Sequence, residues 1–231
     1  MKIIDLLLWG VFPYIVLTIF IGGHIYRYQK DQFGWTTKSS EFLEKKLLRV
    51  GSVLFHFGIF AVLGGHVLGL IIPVEFYQSL GITEHTYHVI AIVCGLPAGL
   101  AAFTGATILL YRRISVKRIK VTTSPSDWVA LIFVLMAIIT GLLATSFNVD
   151  AHGFDYRTTI APWIRGILVF HVQPELMASV PIWFKIHIYT TFGLYTVWPF
   201  TRLVHAFSFP IRYLRRSYII YRERVALKKI N

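Results

Sequence analysis

Read for hydrophobicity alone, the 231-residue chain separates into five apolar blocks, near residues 5–26, 49–72, 87–111, 127–147 and 182–206. The blocks are neither striped like a surface helix nor alternated like a strand. A helix rises ~1.5 Å per residue and a hydrocarbon core is ~30 Å thick, so each block predicts one membrane-spanning helix. The first block ends in HIYRYQKD (residues 24–31), the aromatic and basic boundary of a retained span. Asp5 ahead of it, and no small-residue cleavage pattern after it, argue against a removed signal segment. Between the fourth and fifth blocks, residues 148–181 contain TIAPWIRGILVFHV, whose apolar run is too short to span and predicts a short helix at the outer interface. The pattern thus predicts an all-α, multi-pass membrane protein: residues 1–210 form a five-helix domain, and residues 211–231 a basic cytoplasmic extension.

Composition agrees with that picture. Only 15% of residues are charged and 55% are hydrophobic, against ~25% charged in soluble domains. The single cysteine, Cys94, lies inside the third block. Disulfides, thiolate zinc sites and iron–sulfur clusters held by this chain alone are thereby excluded.

The net charge of +12 suggests a polyanion partner until its placement is considered. Arg27, Lys30, Lys38, Lys45, Lys46 and Arg49 lie between blocks one and two, Arg112, Arg113, Lys117, Arg118 and Lys120 between three and four, and the C-terminal tail is basic. The opposite side carries Lys2, Arg157, Arg165 and Lys185. Positive segments stay in the cytoplasm, so the N-terminus is expected outside and the C-terminus inside. The charge reports topology, with a second role toward anionic lipid or an acidic protein partner. Nucleic acid is not an expected partner.

Nine histidines remain to be explained. His24, His85, His88, His152 and His171 fall at interfaces or in loops, where solvation suffices. His56 and His66 lie within the second block, His187 and His205 in the fifth. The second helix runs outward and the fifth inward, which matches His66 with His187 near the outer face and His56 with His205 near the inner. The rises disagree: His56 and His66 are ~15 Å apart along a helix, His187 and His205 ~27 Å. A kink at Pro199 would shorten the second.

Intramembrane imidazoles are costly unless bonded or coordinated. Two per site, from facing helices, is what a bis-imidazole haem requires, and Gly58, Gly64, Gly65 and Gly69 would leave room for flat macrocycles. The same glycines also fit a small-residue helix-packing face. Zinc fits less well, since no carboxylate or thiol lies at these depths to complete a tetrahedron. Arg202, with Arg112 or Arg113, is placed to receive haem propionates.

These residues resemble the gamma subunit family of membrane-bound respiratory nitrate reductase, a five-helix di-haem cytochrome b. The likeness runs through PYI (13–15), Arg27–Tyr28, Ser39–Ser40, LFHFGI and GGHVLG around His56 and His66, Tyr111–Arg113, and PFTRLVH (199–205). It implies two haem b groups, the proximal held by His56 and His205 and the distal by His66 and His187. It further implies oxidation of a quinol, menaquinol or ubiquinol, near the outer face. Electrons would then pass to an iron–sulfur beta subunit and a molybdenum-containing alpha subunit, with the chain in the cytoplasmic (inner) membrane. Members can carry a quinol-binding lysine at the start of the third helix. This chain has none there, which leaves Gly65, His66, His85, Thr86 and His88 as quinol-site candidates. Two rivals are a di-haem cytochrome b serving another quinone-linked reductase and a histidine-dependent ion transporter; against the latter, no inverted repeat is visible.

Overall fold

The computed structural model describes residues 3–31, 34–35, 40–149 and 154–207. The described residues are helical, with no strand among them. Helix α1 spans Ile3–Lys30, with a π-helical turn at Leu7–Val11. Helix α2 spans Lys46–Ile71 and ends in a second such turn, Val67–Ile71. After the short α3 (Val74–Ser79) come α4 (Glu84–Ser115), the small basic α5 (Lys117–Thr122), α6 (Pro125–Ser146), α7 (Ile160–Leu168) and α8 (Ile182–Val197). The chain then continues in two 3-10 stretches, Trp198–Phe200 and Arg202–Phe207.

Local chemistry sets the boundaries. Thr83 caps α4 by accepting a hydrogen bond from the Thr86 amide, and Ser124 opens α6 through a capping box with Asp127, ahead of Pro125 at the first helical position. Pro73, in extended backbone, separates α2 from α3.

Four helices, α1, α2, α4 and α6, are long and apolar enough to cross a membrane. The fifth predicted span is not one continuous helix. α8 stops after 16 residues because Pro199 cannot donate to the helical ladder and its ring obstructs the preceding turn. Thr201 is then extended (φ −122°, ψ 179°), and the chain folds back on itself, Trp198 Nε1 donating to the Leu203 carbonyl at 2.8 Å. His152, Ser39 and the basic extension, residues 211–231, lie outside the described residues.

Small residues bring the helices together. A Cβ added at Gly58 would run into the α4 backbone at Ala98 and Ala102, and one at Gly105 into the α2 backbone at Gly51 and Phe55. α2 and α4 are thus joined backbone to backbone along this face. Packing then continues from α4 to α6, from α6 to α8 and from α8 to α1. Ala102, Ala106, Val134, Ala137, Ile138 and Leu194 form one core at the α4–α6–α8 contact. A second core gathers Trp9, Ile160, Trp163, Ile167, Met177 and Ile188, so α7 is packed into the bundle end by one face. Trp163 donates its indole N–H to the Trp9 carbonyl at 2.8 Å, a partner at the π turn of α1.

Outward-facing positions carry large apolar side chains: Ile3, Phe57, Phe60 and Val93 are 77%, 75%, 66% and 64% exposed. A soluble bundle would not present such rows to water, whereas hydrocarbon accepts them at no cost.

Candidate functional site

The four intramembrane histidines meet in two pairs. The His56 and His205 ring centres are 6.2 Å apart, and those of His66 and His187 are 6.1 Å apart. α2 and α8 are not among the closely packed helix pairs, so the imidazoles reach across a gap between them. The rise mismatch expected from sequence also resolves. From His187 to the end of α8 at Val197 is ten residues, ~15 Å of axial advance, the same as from His56 to His66. The remaining residues to His205 lie in the broken 3-10 segment and do not continue the helix.

Each of the four rings has Nδ1 against an oxygen, a backbone carbonyl for three and a threonine hydroxyl for His187. Nδ1 of His56 lies 2.7 Å from the Ser52 carbonyl oxygen, with the Ser52 hydroxyl at 3.2 Å. For His66 the partner is the Val62 carbonyl at 2.8 Å, and for His205 the Arg202 carbonyl at 2.7 Å. His187 reaches Thr140 Oγ1 at 3.1 Å; that hydroxyl donates to the Met136 carbonyl at 2.8 Å and so accepts from the ring. A carbonyl can only accept, so Nδ1 carries the proton and Nε2 is left with its lone pair free. This is the tautomer and orientation of a metal-ligating imidazole.

The spacing fits as well. A metal–imidazole bond of ~2.0–2.1 Å plus about 1.1 Å from nitrogen to ring centre, taken on both sides, gives about 6.3 Å between rings that share one ion. Gly64 and Gly65, beside His66, face open space in which an added Cβ meets no atom within 4 Å. Gly58 and Gly69 do not: the first is filled by α4 and the second by the Tyr87 and Tyr156 hydroxyls. Half of the glycine set expected to make room for a planar group therefore serves packing. Gly141 supplies room instead, since a Cβ there would lie 3.0 Å from His187 Cε1. Among the described residues no group of three or more His, Cys, Asp or Glu is poised to hold a metal ion, so protein side chains do not form a tetrahedral site.

The arginines expected to meet anionic groups have partners within the chain. Arg112 is buried, donating from Nε to Glu44 at 2.7 Å, from Nη1 to the Ser40 hydroxyl, and from Nη2 to the Ser40 and Glu44 carbonyls. Arg202 donates from Nε to Asp127 at 2.7 Å, and Arg113 lies 3.7 Å from the same carboxylate. Glu44 and Asp127, distant in sequence, gave no sign of these roles.

At the other end of the bundle, a cavity of about 390 Å³ is lined by His85, His88, Tyr87, Asp155, Tyr156 and Arg157, among others. Gly65 and His66 do not line it, and Thr86 is tied to Thr83, hydroxyl to hydroxyl, at 2.9 Å. The quinol-site candidates are therefore split between the His66 pair and this cavity. Arg157 is buried, forks onto Asp155 at 2.9 and 3.1 Å, and sits 4.2 Å over the Tyr87 ring. Burial alone would lower its pKa, but the Asp155 carboxylate raises it. Burial, with the Tyr87 hydroxyl beside it, pushes the Tyr156 phenol well above its ordinary value.

Four membrane-length apolar helices, with two facing histidine pairs among them, define a helical membrane protein. The chain belongs to the nitrate reductase gamma subunit family, whose sequence profile matches residues 5–224. It is 60% identical to the nitrate reductase gamma chain of Bacillus subtilis over 218 residues, covering 94% of this chain and 98% of that one. The nitrate reductase-like protein NarX of Mycobacterium tuberculosis is 44% identical over 96% of this chain, which spans 34% of that longer protein. The respiratory nitrate reductase 1 gamma chain of Escherichia coli is 28% identical over 97% of this chain and 100% of its own length. The chain is accordingly a membrane subunit of a nitrate reductase.

Proposed function

We propose that this subunit oxidises quinol near the outer face of the cytoplasmic membrane and conducts the electrons inward; His66 and His187 would hold a distal haem b, and His56 and His205 a proximal one. When bound, haem supplies one-electron redox chemistry between the two-electron donor, menaquinol or ubiquinol, and the one-electron centres of an iron–sulfur beta subunit, beyond which a molybdenum-containing alpha subunit reduces nitrate. The observation that carries this reading is the pair geometry: two imidazoles about 6 Å apart, each with Nδ1 against a carbonyl or hydroxyl oxygen, an arrangement that leaves Nε2 as the nitrogen available to ligate.

The side chains have distinct tasks in it. Ser52, Val62, Thr140 and Arg202 hold the rings by their Nδ1 protons, while Gly64, Gly65 and Gly141 keep bulk away from them. The apolar bundle excludes water between the two pairs. His85 and His88, at the cavity opposite the basic side, are suited to accept a quinol proton and pass it outward. An electron moving toward a negative interior works against ~2.3 kcal/mol per 100 mV, so the donor–acceptor potential difference must exceed that. Lys117, Arg118 and Lys120 on α5, with the tail, offer a positive surface to the soluble partners on the inner side.

A reduced-minus-oxidised spectrum of the purified complex, with haem stoichiometry, tests the proposal. Two b-type haems are expected, falling to one in His66→Ala or His187→Ala with loss of quinol oxidation. Absence of b-type haem would sink the reading, and loss of the same haem in His56→Ala and His66→Ala would overturn the pairing.

A further inference from the structure

The break after α8 leaves His205 on a short 3-10 stretch instead of a long helix, and such a stretch cannot hold a ring in place unaided. Its support comes from α1. Arg27 Nη1 donates to the Pro199 carbonyl at 2.9 Å and to the Thr201 carbonyl at 3.0 Å, while Nη2 donates to the Gly34 carbonyl at 3.0 Å. No carboxylate pairs with Arg27 among the described residues, so its two Nη groups are committed to backbone, Nη1 at the break and Nη2 at Gly34. Four residues upstream on α1, Gly23 receives Pro199: a Cβ there would lie 2.8 Å from Pro199 Cβ. One helix thus grips both flanks of the break, by a close fit at Gly23 and a charged fork at Arg27.

The path from this grip to the imidazole is short. Arg202 directly follows Thr201, and its carbonyl accepts the His205 Nδ1 proton. From these contacts we infer that Arg27 is a positioning residue for His205, fixing through the Pro199–Thr201 break the carbonyl that sets the tautomer and aim of its ring. The inference rests on the proposed role of the His56–His205 pair as haem ligands. The His66–His187 pair has no contact with this device: its Nδ1 partners are the Val62 carbonyl on α2 and the Thr140 hydroxyl on α6.

The test uses the full chain in its assembled, detergent-solubilised complex, with Arg27→Met, Arg27→Lys and Gly23→Ala compared with wild type. The readouts are haem stoichiometry, the low-spin bis-imidazole signals of the oxidised form, and a redox titration that separates the two haems. Partners that orient a ligating histidine typically affect metal affinity roughly 10–100-fold. Arg27→Met and Gly23→Ala are expected to weaken proximal haem retention by that order and to shift or broaden its signal alone. Arg27→Lys, whose ammonium can reach the position of Nη1, lies between them and wild type. Gly23→Ala alters no charge, so a shift in Arg27→Met with none in Gly23→Ala would reduce Arg27 to an electrostatic influence and overturn the inference. A silent Arg27→Met, or equal loss of both signals in these variants, would also overturn it. A wild-type complex without haem would instead refute the ligand reading on which the inference stands.

Discussion

At the scale of single residues, the paired imidazoles show why an intramembrane histidine needs two partners. The Nδ1 bond determines which nitrogen is free, and without it the ring rotates and exchanges tautomers. Three of the four bonds go to a carbonyl three or four residues upstream on the same segment, a local arrangement any helix can provide. His187 differs, because its partners lie on another helix, the Thr140 hydroxyl with the Ala137 carbonyl beside it. Thr140→Val keeps the shape and removes the hydroxyl, leaving the Ala137 carbonyl alone to hold the ring. It is expected to weaken cofactor retention at the His66–His187 pair roughly 10–100-fold, leaving the His56–His205 pair unchanged, as read by titrating apo-protein with haemin. The pairing of the rings was legible in the sequence because straight helices turn residue number into depth. Thr140 and Gly141 were not, since nothing local marks a threonine–glycine step as the seat of a ring 47 residues away.

At the scale of elements, apolar blocks of the right length predicted the helices well, and four of the five proved continuous. The last block failed as a single helix for a reason visible in advance, Pro199, but proline alone does not say whether a helix bends or ends. The tertiary contacts at Gly23 and Arg27 favour an ending. The α2–α4 contact was ambiguous for a similar reason: a glycine that makes room for a ligand and one that admits a neighbouring backbone look the same in sequence. Gly58 and Gly105 belong to the second kind, Gly64 and Gly65 to open space. Gly58→Val should therefore force α2 and α4 apart. Overpacking of a tight contact costs typically 1–3 kcal/mol, at about 2–4 °C of Tm per kcal/mol for a chain of this size. Gly64→Val should leave the Tm of the apo-protein within about a degree. Thermal unfolding of the two variants side by side checks the distinction, and equal losses would contradict it.

At the scale of the whole molecule, the basic end of the bundle is held by ion pairs that the charge pattern alone concealed. Read as topology, the arginines at the end of α4 merely mark the inner face. In the structure Arg112 gathers the 40–44 segment onto α4, and Arg202 and Arg113 converge on Asp127 at the start of α6. Partial burial pushes the Glu44 carboxyl up, but the amides of Leu47 and Leu48 and the Arg112 guanidinium outweigh it and hold the pKa below the ordinary carboxylate value. A carboxyl lowered on folding contributes stability above its unfolded pKa and loses it as pH falls through the folded one. The Tm difference between wild type and Glu44→Gln should therefore be full at neutral pH, shrink once the pH drops below the usual carboxylate range, and vanish below the depressed folded value. Arg112→Gln should reproduce only the part of this profile that the Glu44 pair supplies, plus a loss from its bonds to Ser40 that does not follow the Glu44 carboxyl. Scans of the three proteins across acid pH separate the two contributions, and a wild-type advantage over Glu44→Gln that stayed flat with pH would show the carboxylate to be incidental.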